Sequence, residues 1–452
     1  MIAPTTLPRS LGLWGILFLT LSITTPASSL FVIAPGILHE AGTGAVWALA
    51  LAAVVSIATA YVYAELASAW PVAGGEYVFV GQTLGQGPAF VMLAINLVSN
   101  VLIAPVLALG VAEVMATFIP ALPAVPVAIA VLALATLIAV LNIRLNALIT
   151  GIFLAVELAA LALVAALGLF EPVHPLALLA APMVADGGTL APLTLAGFGT
   201  AASIAIFALN GPGCAIYFGE ELHEAPRQMG RAILISSGLT ILSIGLPLVA
   251  ALLSAPDLIA FLSADDPFGA FVAARGGSTL AALVGGGIVL AIVNAVIATI
   301  LACARFLYGT ARDRSWNLPL DEWLSALHPR WASPWLGTLL VGAVMIACCF
   351  LPLSFLLVVS GAGLIVIYAG IAAAALVGRR RGLTGGDTYR MPLFPLPPLV
   401  TLAALTLILW ATWLDLEEGR PALIATAVQI GCAWLYWRLI LVRRGWKASV
   451  PM

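Results

Sequence analysis

Two short stretches decide how this chain is read: Ser22-Ile23-Thr24-Thr25-Pro26-Ala27-Ser28-Ser29 and Asn210-Gly211-Pro212-Gly213. Each lies inside an apolar run long enough to cross a bilayer as a helix, which takes about 20 residues. Pro26 and Pro212 each remove a backbone donor, and a proline ring clashes with the preceding helical turn. Each run is therefore expected to break at mid-depth. Open backbone in hydrocarbon leaves amides and carbonyls unpaired, so a break is tolerated only where it is buried in protein or lines a cavity. Two such breaks imply a shared cavity, against the alternative of two independent proline kinks.

Composition places these runs in a membrane. Of 452 residues 63% are hydrophobic and only 8% charged, with a mean hydropathy of +1.14. A soluble domain carries about 25% charged residues, and this chain has too few to cover a water-facing surface. Net charge is -2, with a single lysine, Lys447, beside 17 arginines, so no basic field for nucleic acid exists. The five cysteines fall in apolar stretches without metal-ligand spacing and read as small core residues. No cofactor or metal is expected. An enzyme is disfavoured because no nucleophile, base and ligand set clusters, and a channel because no charged ring or carbonyl filter is visible. No Gly-rich, lysine-containing nucleotide loop supports pumping by ATP.

The expected fold is all-α and integral to the membrane, with twelve transmembrane helices at 10–34, 43–66, 88–118, 124–141, 147–169, 195–218, 232–253, 279–304, 335–352, 355–377, 395–414 and 421–442. Residues 254–277 hold Asp257, Asp265, Asp266 and Arg275 and are expected to form a loop with helical content. The first run, followed by small residues near Pro26, also resembles a signal peptide, but its apolar stretch continues to Ala34, so it reads as an uncleaved, interrupted helix. Alternating the spans puts 16 of the 18 basic residues on one side and leaves Arg275 and Arg420 on the other. By the positive-inside rule, both termini are then cytoplasmic in a multi-pass protein of the plasma (inner) membrane.

The whole chain, 1–452, reads as one membrane domain. Spans one and six, the interrupted ones, open two successive sets of five, at 10–169 and 195–377, with two further helices at 395–442. Five is odd, so the second set is inverted relative to the first. Interrupted helices at corresponding places of two halves point to the central site of a transporter. Half-helix N-termini supply amides to a carboxylate, and C-terminal carbonyls hold an ammonium or a cation. An α-amino acid carries both groups.

Three motifs then carry a resemblance. They are Ala64-Glu65-Leu66-Ala67-Ser68-Ala69-Trp70-Pro71-Val72-Ala73-Gly74-Gly75-Glu76-Tyr77 after span two; Gly219-Glu220-Glu221 with Pro226-Arg227 after span six; and Asn294-Ala295 through Arg305-Phe306-Leu307-Tyr308 to Ala311-Arg312-Asp313. With them the chain resembles the amino acid-polyamine-organocation (APC) superfamily of permeases over nearly its whole length. The resemblance implies a leucine-transporter type of architecture with a five-plus-five inverted repeat. It also implies a carrier that works by alternating access, with substrate held at the breaks and flanked by helices three, eight and ten. Carried over, the substrate-binding residues are Thr25, Pro26, Ala27, Ser28, Ser29, Phe207, Asn210, Gly211, Pro212 and Gly213. Many members have a Gly-Ser-Gly type of sequence at the first break, whereas this chain has no glycine between Gly15 and Gly36, so hydroxyls are expected to contribute more.

Glu157 sits near the middle of span five without a charged neighbour. A bare carboxylate there costs several kcal/mol unless it is paired or carries a proton. Two readings stand: a site for a coupling proton, or a protonated acid hydrogen-bonded to a neighbouring helix. Some relatives have a lysine on this helix; here span five has no basic residue. Glu65 and Glu76 belong to the motif after span two and are expected at a cytoplasmic gate, Glu65 with an arginine of the inner loops. Glu113 is expected near the outer end of span three. Asn96, Ser99 and Asn100 on span three, Asn294 on span eight and Ser360 on span ten either line the site or tie helices together.

The function expected is secondary active transport of an amino acid, by proton symport or by exchange, with protons favoured over sodium. A polyamine or amine exchanger of the same architecture is the alternative, but it calls for several acids at the site, and Glu157 is the acid expected at depth. The partners are therefore a small amino acid or amine, the proton and the lipid bilayer.

Overall fold

Helix α1 (Leu13–Thr24) stops at Thr25, whose backbone is left-handed (φ 42, ψ 70). A β-branched residue rarely adopts that conformation. The break is pinned from both sides: the Thr25 amide donates to Leu21 O at 2.9 Å, and Ser29 N donates to Thr25 O at 3.1 Å. The chain resumes as α2 (Pro26–Ser28), with proline where its missing amide costs nothing, then a π-helical turn (Ser29–Ile33) and α3 (Ala34–Ala41). The first expected interruption is thus a feature of the fold. The computed structural model describes residues 7–116, 123–316, 318–386, 388–414, 416 and 419–449; the Glu113 side chain lies outside what it describes.

Around this broken helix the remaining elements are α4 (Ala45–Ala69), α5 (Glu76–Thr83), α6 (Gln86–Ala116), α7 (Ala124–Ala139) and α8 (Ile143–Leu169), then α9 (Leu195–Ala208) and a 3-10 helix (Pro212–Glu221). After these come α10 (Ala225–Ser254), α11 (Leu258–Ser263), α12 (Pro267–Arg312), α13 (Leu318–Leu324), α14 (Trp335–Cys348), α15 (Leu353–Arg380), α16 (Leu396–Leu414), α17 (Gly419–Tyr436) and α18 (Val442–Arg444). Among the described residues, nine helical stretches are long and apolar enough to cross a membrane, and α7 and α14 are shorter apolar helices. The protein is a multi-pass membrane protein whose membrane-spanning part is all helical. Its apolar lipid-facing surface agrees with this: Leu134, Leu137, Leu242, Leu407 and Trp410 are all exposed.

The segment 254–277 is more ordered than a loop. It forms α11 and the first part of α12, which bends at Gly277 (φ 82). Phe268 is fully buried there and packs edge-on against Phe31 and Phe261. A further element had not been expected: a hairpin of β1 (Met183–Asp186) and β2 (Thr189–Pro192). Gly187 and Gly188, with φ 55 and 84, make the two-residue turn that such a hairpin requires. It rests on the turn between α3 and α4, where Met183 N donates to Thr43 Oγ1 at 2.9 Å.

Both ends of the described chain lie on one face. Ser10 N and Leu11 N donate to Glu221 O at 2.8 Å, while Ala448 N donates to Gln86 Oε1 at 2.7 Å and Ser449 N to Asp313 Oδ2 at 3.1 Å. This termini face is the reference for the site.

Candidate functional site

The second break lies at Asn210 and Gly211, between α9 and the 3-10 helix, and Gly211 has φ 122. Glycine is required here for two reasons. That conformation is strained for any L side chain, and a Cβ would lie 2.9 Å from Thr24 Oγ1 and 3.1 Å from Thr24 Cα. The two breaks are therefore in contact. A hydrogen bond ties them as well, since Ser29 Oγ donates to Ala208 O at 2.9 Å and satisfies a carbonyl at the end of α9.

A cavity of about 200 Å³ opens at this contact. Its lining includes the polar side chains of Thr24, Thr25, Ser28, Ser29, Asn210 and Ser360, with Gly211 and Cys214 beside them. Its apolar walls include Val32, Ile103, Val106, Phe207, Ile292 and Leu364. Among the described residues, no charged side chain lines it. Of the substrate-binding residues expected, Thr25, Ser28, Ser29, Phe207, Asn210 and Gly211 line the cavity, whereas Pro26, Ala27, Pro212 and Gly213 shape the breaks behind it. The flanking residues come from α6, α12 and α15. The α6 residues on the wall start 17 positions from Gln86, roughly 25 Å along the helix, so the cavity lies in the half away from the termini face.

Glu157 stands behind the first break. It is fully buried on α8, and its Oε1 accepts the Ala27 N–H at 2.8 Å. That amide is the first available in the half-helix, because Pro26 has none. A carboxyl at a helix N-terminus is stabilised by the peptide dipoles. Oε2 has no hydrogen-bond partner, nor has the buried Thr25 hydroxyl that adjoins the same carboxyl.

The asparagines expected as possible lining lie elsewhere. Asn294 donates from Nδ2 to Ser22 Oγ at 2.8 Å and to Thr150 O at 3.2 Å, joining α12, α1 and α8 below the breaks. Asn96 donates to Glu76 Oε2 at 2.8 Å, and Asn100 donates to Asn96 Oδ1 and to Tyr217 Oη, both at 3.1 Å. Tyr63 Oη donates to Glu76 Oε1 at 2.9 Å. This buried group of α4, α5, α6 and the 3-10 helix separates the cavity from the termini face. Ser360 does reach the cavity.

Ion pairs cluster toward the same face. Glu65 Oε1 accepts from Arg379 Nε at 2.8 Å and from Thr384 Oγ1 at 2.7 Å, and Oε2 accepts from Arg379 Nη2 and from Met391 N. Glu221 and Arg305 are paired at 2.7 Å with side chains 1% and 0% exposed, and Arg305 lies over the Phe218 ring. Glu220 pairs with Arg312 and accepts Ala73 N at 3.0 Å. At the end of α12, burial pushes the Asp313 carboxyl above its usual range, opposed by Arg312 and by hydrogen bonds from Ser449 and Tyr77. Charge is thus buried at more places than Glu157, each time with a partner, which offsets part of the cost of desolvation.

Several cavity residues had not been singled out from sequence: Val32, Ile103, Val106, Leu107, Gly110, Cys214, Ile292 and Leu364. The α6 set follows the spacing i, i+3, i+4, i+7 of one helix face, a signal that was available. Tyr368, whose hydroxyl donates to Asn210 Oδ1, offered none.

Comparison with known proteins agrees with the geometry. A sequence profile of the family described as amino acid permease matches residues 11–430. An uncharacterised transporter of Mycobacterium tuberculosis (strain H37Rv) is 30% identical over 442 residues, covering 97% of this chain and 88% of that protein. An uncharacterised transporter of Mycobacterium bovis matches to the same extent. The branched-chain amino acid permease of Bacillus subtilis (strain 168) is 24% identical over 420 residues, 85% of this chain and 86% of the relative. With the paired breaks, the cavity between them and a family match spanning most of its length, the chain belongs to the amino acid permease family of the APC superfamily.

Proposed function

We propose that this protein is a secondary active transporter that moves a neutral, aliphatic amino acid across the plasma membrane by alternating access. The carrying observation is the cavity itself, where polar residues of two broken helices in contact meet Ile, Val, Leu and Phe side chains. The α-amino and α-carboxyl groups go to the polar residues, and the side chain goes to the apolar walls. The name of the Bacillus subtilis relative supports an aliphatic substrate. An amine or polyamine calls for carboxylates on the lining, and none is found among the described residues that form it.

In this reading there are twelve spans: α1 with α2 and α3 form the first, the turn at Gly42–Gly44 leads into α4 as the second, and the others follow in order. The two sets of five, 10–169 and 195–377, form the inverted repeat. The termini face is cytoplasmic, and the conformation is closed toward it by the Glu76 group and the ion pairs of Glu65, Glu220 and Glu221. Glu65 and Glu76 act in the cytoplasmic gate. Glu157 carries the coupling proton: with it the carboxyl is neutral, and without it a charge faces the Ala27 amide of the half-helix. Exchange of one amino acid for another is the second mode the same site supports.

The test is a thermal-shift screen of the detergent-solubilised protein against the standard amino acids and common amines. A ligand that binds only the folded state raises its melting temperature. Leucine, isoleucine and valine are expected to stabilise the protein, and putrescine and spermidine are not. Stabilisation by the amines alone would overturn the reading.

A further inference from the structure

Two glycines line the cavity, and they differ in what they are for. Gly211 is required by its backbone angle and by its contact with Thr24. Gly110, on α6, has neither requirement. Its backbone is helical, and a Cβ added there would meet no heavy atom within 4 Å. The glycines of α15 that face α6 contrast with it: a Cβ at Gly363 would lie 2.0 Å from Ser99 Oγ, and one at Gly370 would lie 2.1 Å from Met92 Cε. Those positions hold helices together, whereas Gly110 holds nothing.

A mid-helix glycine weakens a helix relative to alanine. At Gly110 neither a turn nor close packing offsets that loss. What the missing side chain does provide is volume in the cavity. Ile103, Val106, Leu107 and Gly110 share one face of α6, and among these four the glycine is where the wall recedes.

We propose that Gly110 is a specificity-determining residue, which sets the upper size of the amino-acid side chain that the cavity admits. The inference rests on the reading that this cavity holds the substrate. Without a side chain at position 110, the α6 wall leaves space for a branched, four-carbon aliphatic group such as that of leucine or isoleucine. A methyl or isopropyl group there fills the same space and leaves room for alanine. One methylene too many in an apolar pocket changes discrimination by about 10–200-fold, so the effect is large enough to read.

The experiment compares the full-length wild type with Gly110→Ala and Gly110→Val in proteoliposomes, measuring initial uptake of L-leucine, L-isoleucine and L-alanine. Leucine and isoleucine uptake should fall stepwise from Gly110→Ala to Gly110→Val, by about tenfold or more in the latter, while alanine uptake holds or rises. The melting temperature of ligand-free Gly110→Ala should equal or exceed that of the wild type, because the added methyl meets nothing. An equal loss for all three amino acids, or an unchanged ranking, overturns the inference. Wild type that transports leucine while Gly110→Val keeps the wild-type ranking sinks the role of Gly110 alone; wild type that binds and carries no amino acid sinks the proposed function, and the inference with it. Should Gly110→Val fail to fold, the leucine-to-alanine ratio of Gly110→Ala decides the matter.

Discussion

Glu157 Oε1 accepts the Ala27 N–H at 2.8 Å, so an acid of α8 caps the half-helix that begins at the first break. The amide expected to face a substrate carboxylate is held by a carboxyl of the protein itself. Proton occupancy of Glu157 and the geometry of the break are thereby one problem, because Thr25 adjoins the same carboxyl at its strained backbone angle. Glu157→Gln keeps an oxygen for Ala27 but cannot exchange a proton. Uptake should persist in this variant and lose its dependence on external pH, measured as initial rate against pH. An unchanged pH profile would make Glu157 a structural cap. Glu157→Ala leaves the Ala27 amide buried without a partner, and should cost about 1–3 kcal/mol of stability.

Asn294 offers a contrast between lining and bracing. It bonds Ser22 and the Thr150 carbonyl rather than the cavity. Asn294→Ala is expected to lower stability by about 1–3 kcal/mol and to leave the ranking of substrates as it was. Thermal unfolding and a competition series on the same preparation check both halves; a changed ranking would place Asn294 at the substrate.

The Arg305–Glu221 pair is buried on both sides. Removing one partner strands a charge, and breaking such a pair typically costs about 3–5 kcal/mol. Arg305→Met should therefore melt well below the wild type. The double variant Arg305→Met with Glu221→Leu should regain most of the loss, because neither charge then remains buried. A double variant as unstable as the single one would contradict this.

How much of this was legible in the sequence depends on which residues are considered. Pro26 among Thr and Ser residues and Pro212 between two glycines announced both breaks; a proline by itself was not enough, since Pro105 and Pro247 lie inside α6 and α10 without ending them. The partner of Glu65 was expected among the inner-loop arginines, and Arg379, in the last turn of α15, fills that place. Three-dimensional partnerships were less accessible. That Glu157 meets Ala27, 130 positions away, follows from how α8 packs on the break, and no spacing encodes it. Asn96 and Asn294 were ambiguous for the same reason: a polar residue on a membrane helix has a face, but the sequence does not say what lies opposite. The hairpin at 183–192 was legible from Gly187-Gly188 between short apolar pairs and went unrecognised, since its strands have only four residues each.

Gly42 tests the hairpin's seat. Its φ is 54, and a Cβ would lie 2.0 Å from the Met183 carbonyl oxygen. Gly42→Ala must both strain the backbone and displace β1, so a loss of about 1–3 kcal/mol is expected by thermal unfolding. Gly187→Ala, where a Cβ meets nothing, carries the backbone strain without the clash and should cost less.

The central claim is that the cavity between the two breaks carries an aliphatic amino acid across the membrane. Counterflow in proteoliposomes tests it most directly: vesicles loaded with unlabelled L-leucine are diluted into trace labelled L-leucine, and accumulation of label is followed. The account predicts saturable accumulation in the wild type that Gly211→Val abolishes, since a side chain there must displace Thr24 and close the contact between the breaks. Folded wild-type protein that accumulates no label, with leucine or with any other amino acid in the panel, would contradict it.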